Sequence, residues 1–250
     1  MAIDEALAMS VGQNRDFACL RFYRWQPYAL SFGYNQSPEK LVDLNAVAES
    51  GLGIVRRMSG GKMVFHADEH TFSLVFTLEF IREKCSGAKT FLEMFRFAIE
   101  PLVKALVDSG VPARFSSARE MSSGRGNHLH CYAAAAGHSV FAGQHKLIGA
   151  AGVFRNDCLI IHGSIPISIV NPPEEVFLSE NRRDLAVKMA ALNEFIDGQM
   201  IENLPVMVAE SYASVMGCRL TVSELNGTEK QQIEALFPRY SRLDRPTGSE

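Results

Sequence analysis

One long amphipathic helix between two blocks of strand-like sequence restricts the fold of this chain more than any other feature. KTFLEMFRFAIEPLVKALVDSG (89–110) places apolar residues at 91, 92, 95, 98, 102, 103 and 106, the spacing of a helix with one face on a core. Gly110 ends it, and Pro101 is a kink site within it. Before it, FACLRFYRW (17–25) and YALSFGY (28–34) read as strands that pair with each other across Gln26-Pro27. GIVRRM, KMVFH and TFSLVFTLEF continue the strand pattern. Phe72, Leu74 and Phe76 alternate only partly against Thr71, Ser73 and Val75, which predicts a strand buried on both faces. DLNAVAESG (43–51) is a short helix with Asp43 as N-cap and Gly51 as stop.

After the helix, SSAREMSSGRGNH (116–128) is polar and rich in Gly and Ser, the composition of a mobile loop. Residues 131–169 return to strand, with turn chemistry at Gly143-Gln144 and Asn156-Asp157. Residues 173–250 are mostly helical, in IENLPVMVAESYASVMG and SELNGTEKQQIEALF, the second capped by Asn226 or Thr228. The N-terminal MAIDEALAMSVGQN reads as a surface helix, and DRPTGSE at the end as a frayed tail. Strands and helices do not alternate regularly, which argues against a doubly wound parallel sheet. The prediction is α+β: a mixed β-sheet core with packed helices, residues 1–170 forming the core and 171–250 a helical part on the same domain.

A net charge of −3 with scattered basic residues provides no field for nucleic acid. The five cysteines are odd in number, widely spaced and without a CxxC pair, which argues for a reducing compartment rather than a disulfide framework. No leader pattern and no run near the ~18 apolar residues of a membrane span occurs, so the expected location is the cytoplasm, off the membrane.

RRMSGGKMVFHADEH (56–70) admits three chemistries. A phosphate loop requires a hydroxyl after Gly-Lys, but Met63 follows Lys62, and Arg56 stands where the first glycine belongs. The glycines can still form a close-approach turn. His66-Ala67-Asp68-Glu69-His70 spells H-x-x-E-H, a zinc pattern that needs a helix. The flanking sequence reads as strand, on which the two histidines would sit ~13 Å apart. HLHC (128–131) finds no further ligands at a usual spacing and reads as a polar loop. The segment from Cys131 to Ile165 carries a cysteine, a lysine on a strand, the small-residue run Gly149-Ala150-Ala151-Gly152, and HGSI at 162–165. Small side chains beside Lys146 would let a flat or linear substrate lie against the backbone.

MAIDEAL, LRFYRWQPYALSFGYNQ, RRMSGGKMVFHADEHTFS and HKLIGAA…HGSI, in that order, resemble the lipoate–protein ligase and octanoyltransferase superfamily, which includes the catalytic domain of biotin ligases. The resemblance covers most of the chain and implies that 1–170 is an acyl-binding catalytic core with that superfamily's fold. It implies an acyl pocket lined by Arg57, Ser59, Gly60, Gly61, His66, Gly149, Ala150, His162 and Gly163, with His66 at the wall and no metal. Lys146 matches the family's lysine, whose ammonium stabilises a developing oxyanion.

Cys131 followed by Tyr132 precedes Lys146 by fifteen residues, the arrangement of the cysteine-dependent, ligase-like octanoyltransferases. In those enzymes a thiolate takes the acyl group from acyl carrier protein, and the lysine of a lipoyl domain then attacks the thioester. A neighbouring ammonium would lower a thiol from its usual pKa of ~8.5. Cys19 and Cys158, on apolar strands, read instead as small core residues. DEHTFS (68–73) and the short C-terminal part also look more like the transferases. Two departures stand out. The chain starts at the MAIDEAL helix, without the family's preceding short strand, and GAAG replaces the more frequent Gly-Ser-Ala-Gln.

The expected function is therefore octanoyl transfer through Cys131 and Lys146 without a cofactor. The expected partners are acyl carrier protein and lipoyl-domain proteins, such as the glycine cleavage H protein and the acyltransferase subunits of 2-oxoacid dehydrogenases. The alternatives are an ATP- and Mg-dependent lipoate–protein ligase, octanoyl transfer between lipoyl-domain proteins, and a non-catalytic lipoyl-domain binding module.

Overall fold

The computed structural model describes residues 1–13, 18–85, 87, 90–117, 139–179, 181 and 189–241. A six-stranded sheet forms the centre, in the order β1 (Ala18–Tyr23), β5 (Glu69–Thr77), β9 (Cys158–Pro166), β8 (His145–Arg155), β7 (Val140–Ala142), β6 (Ala113–Phe115). A second sheet of three strands has β2 (Ala29–Phe32) between β3 (Gly53–Arg56) and β4 (Val64–His66). The α+β expectation holds, but the expected hairpin of the first two strands does not. β1 pairs antiparallel with β5, while β2 pairs parallel with β3 and antiparallel with β4. The connection through Gln26-Pro27 carries the chain from one sheet to the other instead of turning it back.

One face of the large sheet is covered by α4 (Phe91–Asp108) and α5 (Gly198–Met216), which pack on each other. Thr90 and Glu93 form a capping box at the start of α4, and Asp197 caps α5. Phe72, Leu74 and Phe76 from β5 meet Leu159, Ile161 and Ile165 from β9 and Phe95, Ile99 and Leu102 from α4 in the main core. The prediction of a strand buried on both faces is correct for β5, although the strand ends at Thr77, which caps the short helix α3 (Leu78–Lys84).

The opposite face is covered by α1 (Ala2–Gln13), which lies between the sheet and α6 (Gly227–Ser241). The expected surface helix is therefore a buried one. Ala6 and Ala8 are fully inaccessible, and Leu7 and Val11 join Val75, Ile160 and Tyr240 in a second apolar cluster. Asn226 caps α6, accepting from Glu229 N while its own N–H donates to the Glu229 carboxylate. The small sheet keeps its own apolar side, where Leu30 and Phe32 pack with Val42, Val47 and Phe177 beside the helix α2 (Leu44–Glu49), capped by Asp43 as expected. β8 and β9 are joined by Asn156-Asp157, both at positive φ (51° and 53°), the geometry of a tight two-residue hairpin. No helix among the described residues is long and apolar enough to cross a membrane.

Candidate functional site

Strand alternation builds the site. Residues paired in register across the large sheet form cross-strand rows, and two consecutive rows on the α1 side are polar or small. One is Tyr23–Thr71–Ser164–Gly149, and the next is Arg21–Ser73–His162–Ala151. The following row, Cys19–Val75–Ile160–Val153, is apolar and belongs under α1. In the small sheet, Leu30, Phe32 and Phe65 face one way into their cluster, so Ser31, Val64 and His66 face the other way, toward the polar rows. Between the two faces lies a narrow, partly open cleft.

Six of the residues expected to bind substrate line this cleft: Arg57, His66, Gly149, Ala150, His162 and Gly163. Ser59, Gly60 and Gly61 do not line it, but form the loop that closes one side. Ser59 Oγ lies 2.5 Å from His162 Nε2, and the carbonyls of Gly60 and Lys62 accept from Arg57 Nη2. Gly61 has φ +92°, and a Cβ on Gly33 would lie 2.0 Å from the Gly61 carbonyl oxygen, so the loop packs backbone against backbone. Both arginines are buried rather than lying on a solvated strand edge. Arg57 Nη1 donates to Ser31 O and Oγ, whereas Arg56 donates to the carbonyls of Tyr34 and Gln36.

The H-x-x-E-H motif is split across a turn: His66 ends β4, and Glu69 and His70 begin β5. The two strands read from KMVFH and TFSLVFTLEF are thus joined by a turn within the motif. His66 Nδ1 meets Glu69 Oε1 at 2.6 Å and its ring stacks under Trp25, with centroids 4.5 Å apart. His70 points away and bonds the Ile201 carbonyl. Burial, reinforced by Arg57, pushes the His162 pKa down to about 3, so its ring is neutral. Its Nδ1 is buried and has no hydrogen-bond partner among the described residues. Beside it, burial pushes the Asp4 carboxyl up, but the terminal ammonium and Arg21, 2.9 Å away, outweigh that and hold it below its ordinary value.

Lys146 is buried on β8 beside a β-bulge and is not among the residues that line the cleft. Val140 pairs with Ile148 and Phe141 with Lys146, so Leu147 is the extra residue. Leu147 and Ile148 both enter the main core, which turns Lys146 to the face shared by Gly149 and Ala151, one row beyond Gly149. Cys131 and the HLHC segment lie outside the described residues. Cys158 is buried among apolar residues, and burial pushes its thiol up to about 11, as befits a core cysteine.

Sequence reasoning missed Ser31, Glu69, Thr71, Ser164, Tyr23 and Trp25 as parts of the site. Ser31 had a readable signal, a lone polar residue between Leu30 and Phe32 in a strand.

A family model described as the lipoyl protein ligase A/B catalytic domain matches residues 1–199. An octanoyltransferase LipM of Exiguobacterium sibiricum is 31% identical over 96% of this chain and 90% of its own length. One from Symbiobacterium thermophilum is 32% identical over 94% and 88%. Among solved structures, a bi-partite lipoate protein ligase from Thermoplasma acidophilum, studied with its E2 lipoyl domain, superposes with a TM-score of 0.70 at 23% identity. That match covers 95% of this chain and 86% of the other, and it shows a shared fold.

Proposed function

Since the chain belongs to the lipoyl protein ligase A/B catalytic domain family, we propose that it is an octanoyltransferase of protein lipoylation, working through a thioester on Cys131. The observation that carries this reading is near-full-length similarity to octanoyltransferases, joined to a narrow cleft floored by glycine and alanine. An acyl chain fits such a floor because Gly149 and Ala151, on the cleft side of β8, leave room for methylenes against the backbone. Each buried methylene contributes about 0.8 kcal/mol, roughly fourfold in affinity.

The acyl group arrives as the thioester of acyl carrier protein and passes to Cys131, fifteen residues before Lys146. The lysine of a lipoyl domain then takes it as an amide. The named relatives are octanoyltransferases, and one structural neighbour was solved alongside a lipoyl domain, which supports that acceptor class. A thioester keeps the acyl group activated, so the chemistry asks for no nucleotide and no metal. Lys146, buried on β8, supports the developing oxyanion with its ammonium.

Intact-protein mass spectrometry after mixing with octanoyl-acyl carrier protein, without ATP, tests the reading. Wild type should gain one octanoyl group that hydroxylamine removes, and Cys131→Ser should gain none. If neither is acylated, yet lipoate with Mg-ATP modifies a lipoyl domain equally well with both proteins, the chain is a ligase and Cys131 a bystander.

A further inference from the structure

The side chains around His66 are joined by hydrogen bonds whose direction their chemistry settles. The Trp25 indole N–H donates to Thr71 Oγ1 at 2.8 Å, and the Thr71 hydroxyl donates to Glu69 Oε1 at 2.5 Å. Ser164 Oγ donates to the other Glu69 oxygen. A carboxylate only accepts, so His66 Nδ1, 2.6 Å from Oε1, is the nitrogen that carries the proton. In the neutral ring Nε2 is then an acceptor, and it lies 2.6 Å from Ser31 Oγ. Arg57 can only donate, and its Nη1 lies 2.7 Å from the same oxygen. The Ser31 hydroxyl therefore accepts from Arg57 and sends its own proton toward His66.

Ser31, His66 and Glu69 are all buried, and the first two line the cleft. A hydroxyl, an imidazole and a carboxylate with this polarity can draw a proton inward, because the carboxylate stabilises the imidazolium that forms. Position matters too. Glu69 pairs with Pro166 in the row next to Thr71–Ser164–Gly149, whose Gly149 lines the cleft.

Resting on the transferase reading, we propose that Ser31, His66 and Glu69 form the proton-accepting relay of the amide-forming half-reaction. The acceptor lysine, with an ordinary pKa of ~10.4, arrives as an ammonium and cannot attack until it loses a proton. That proton passes to Ser31 Oγ as the Ser31 proton passes to His66 Nε2. The free amine adds to the thioester carbonyl, the C–N bond forms as the C–S bond breaks, and the second amine proton leaves on the departing thiolate. The products are an amide, a thiol and one proton on His66, which returns to solvent. Ser31 and His66 carry the proton; Glu69 is a positioning residue.

The test is a single-turnover chase. Acyl-enzyme is formed from octanoyl-acyl carrier protein, freed of donor, and chased at neutral pH with either an apo lipoyl domain or hydroxylamine, which is already uncharged and needs no base. For His66→Gln, Glu69→Gln and Ser31→Ala, the chase by the lipoyl domain should fall about 100-fold, with the hydroxylamine chase within about threefold of wild type. A lipoyl-domain chase near the wild-type rate overturns the relay. So does an equal fall in both chases, or a variant that cannot be acylated, since either outcome assigns these residues to holding the cleft. If wild type itself forms no acyl-enzyme, the Cys131 reading fails at an earlier step than the relay, and both fall.

Discussion

Gly163 shows how narrowly single residues are constrained around the cleft. A Cβ there would lie 2.5 Å from the Phe72 ring and 2.9 Å from Ala150 Cβ, on the core side of the sheet. Gly163→Ala should therefore lower stability by about 1–3 kcal/mol through overpacking, seen as a lower melting temperature by calorimetry. His162 beside it was legible as part of HGSI, one of the motifs that carry the family resemblance. Glu69 was visible only as one letter of a zinc pattern. Its actual partners, His66, Thr71 and Ser164, come from three strands, and nothing in the local sequence says that they meet.

At the scale of elements, Glu5 ties helices to the sheet. It pairs with Arg155 at the end of β8 and with Arg239 on α6, and it accepts from Tyr240 Oη. Glu5→Ala would leave the Tyr240 hydroxyl without its acceptor beneath the helix pair. The expected cost is about 2 kcal/mol, below the 3–5 of a fully buried pair because both arginines are partly exposed; urea unfolding would measure it. Helix α1 illustrates why its environment was misread. Acidic residues near its start suggested a solvated face, yet Asp4 and Glu5 are buried because arginines from β1, β8 and α6 come to meet them. The bulge in β8 is equally silent in sequence. With unbroken alternation Lys146 would share the core side of Ile148, and one extra residue in the pairing turns it to the opposite face.

For the whole molecule, the buried histidines set the response to acid. His162 is lowered to about 3 by burial and Arg57, and His70 is lowered by burial despite its bond to the Ile201 carbonyl. Below about pH 6.5 an unfolded chain binds protons at these sites more readily than the folded chain, so stability falls as pH falls in that window. His162 alone should cost about 1.4 kcal/mol per pH unit between about 6 and its folded value. Urea titrations at pH 7.5, 6 and 5 should show this loss, and His162→Gln should flatten it.

The sequence by itself determined the long capped helix α4, the tight turn between β8 and β9, the short helix after Asp43, and the family-like order of motifs. Each is written within a few neighbouring residues, as periodicity, capping or turn chemistry. Only the tertiary structure decided that β1 and β2 part into different sheets, that α1 is buried, and that Ser31, His66 and Glu69 join in one directed chain. Those outcomes depend on strand register between distant segments, where a shift of one residue reverses every side chain. Hydrogen-bond partners from separate strands exist for one another only once that register is set.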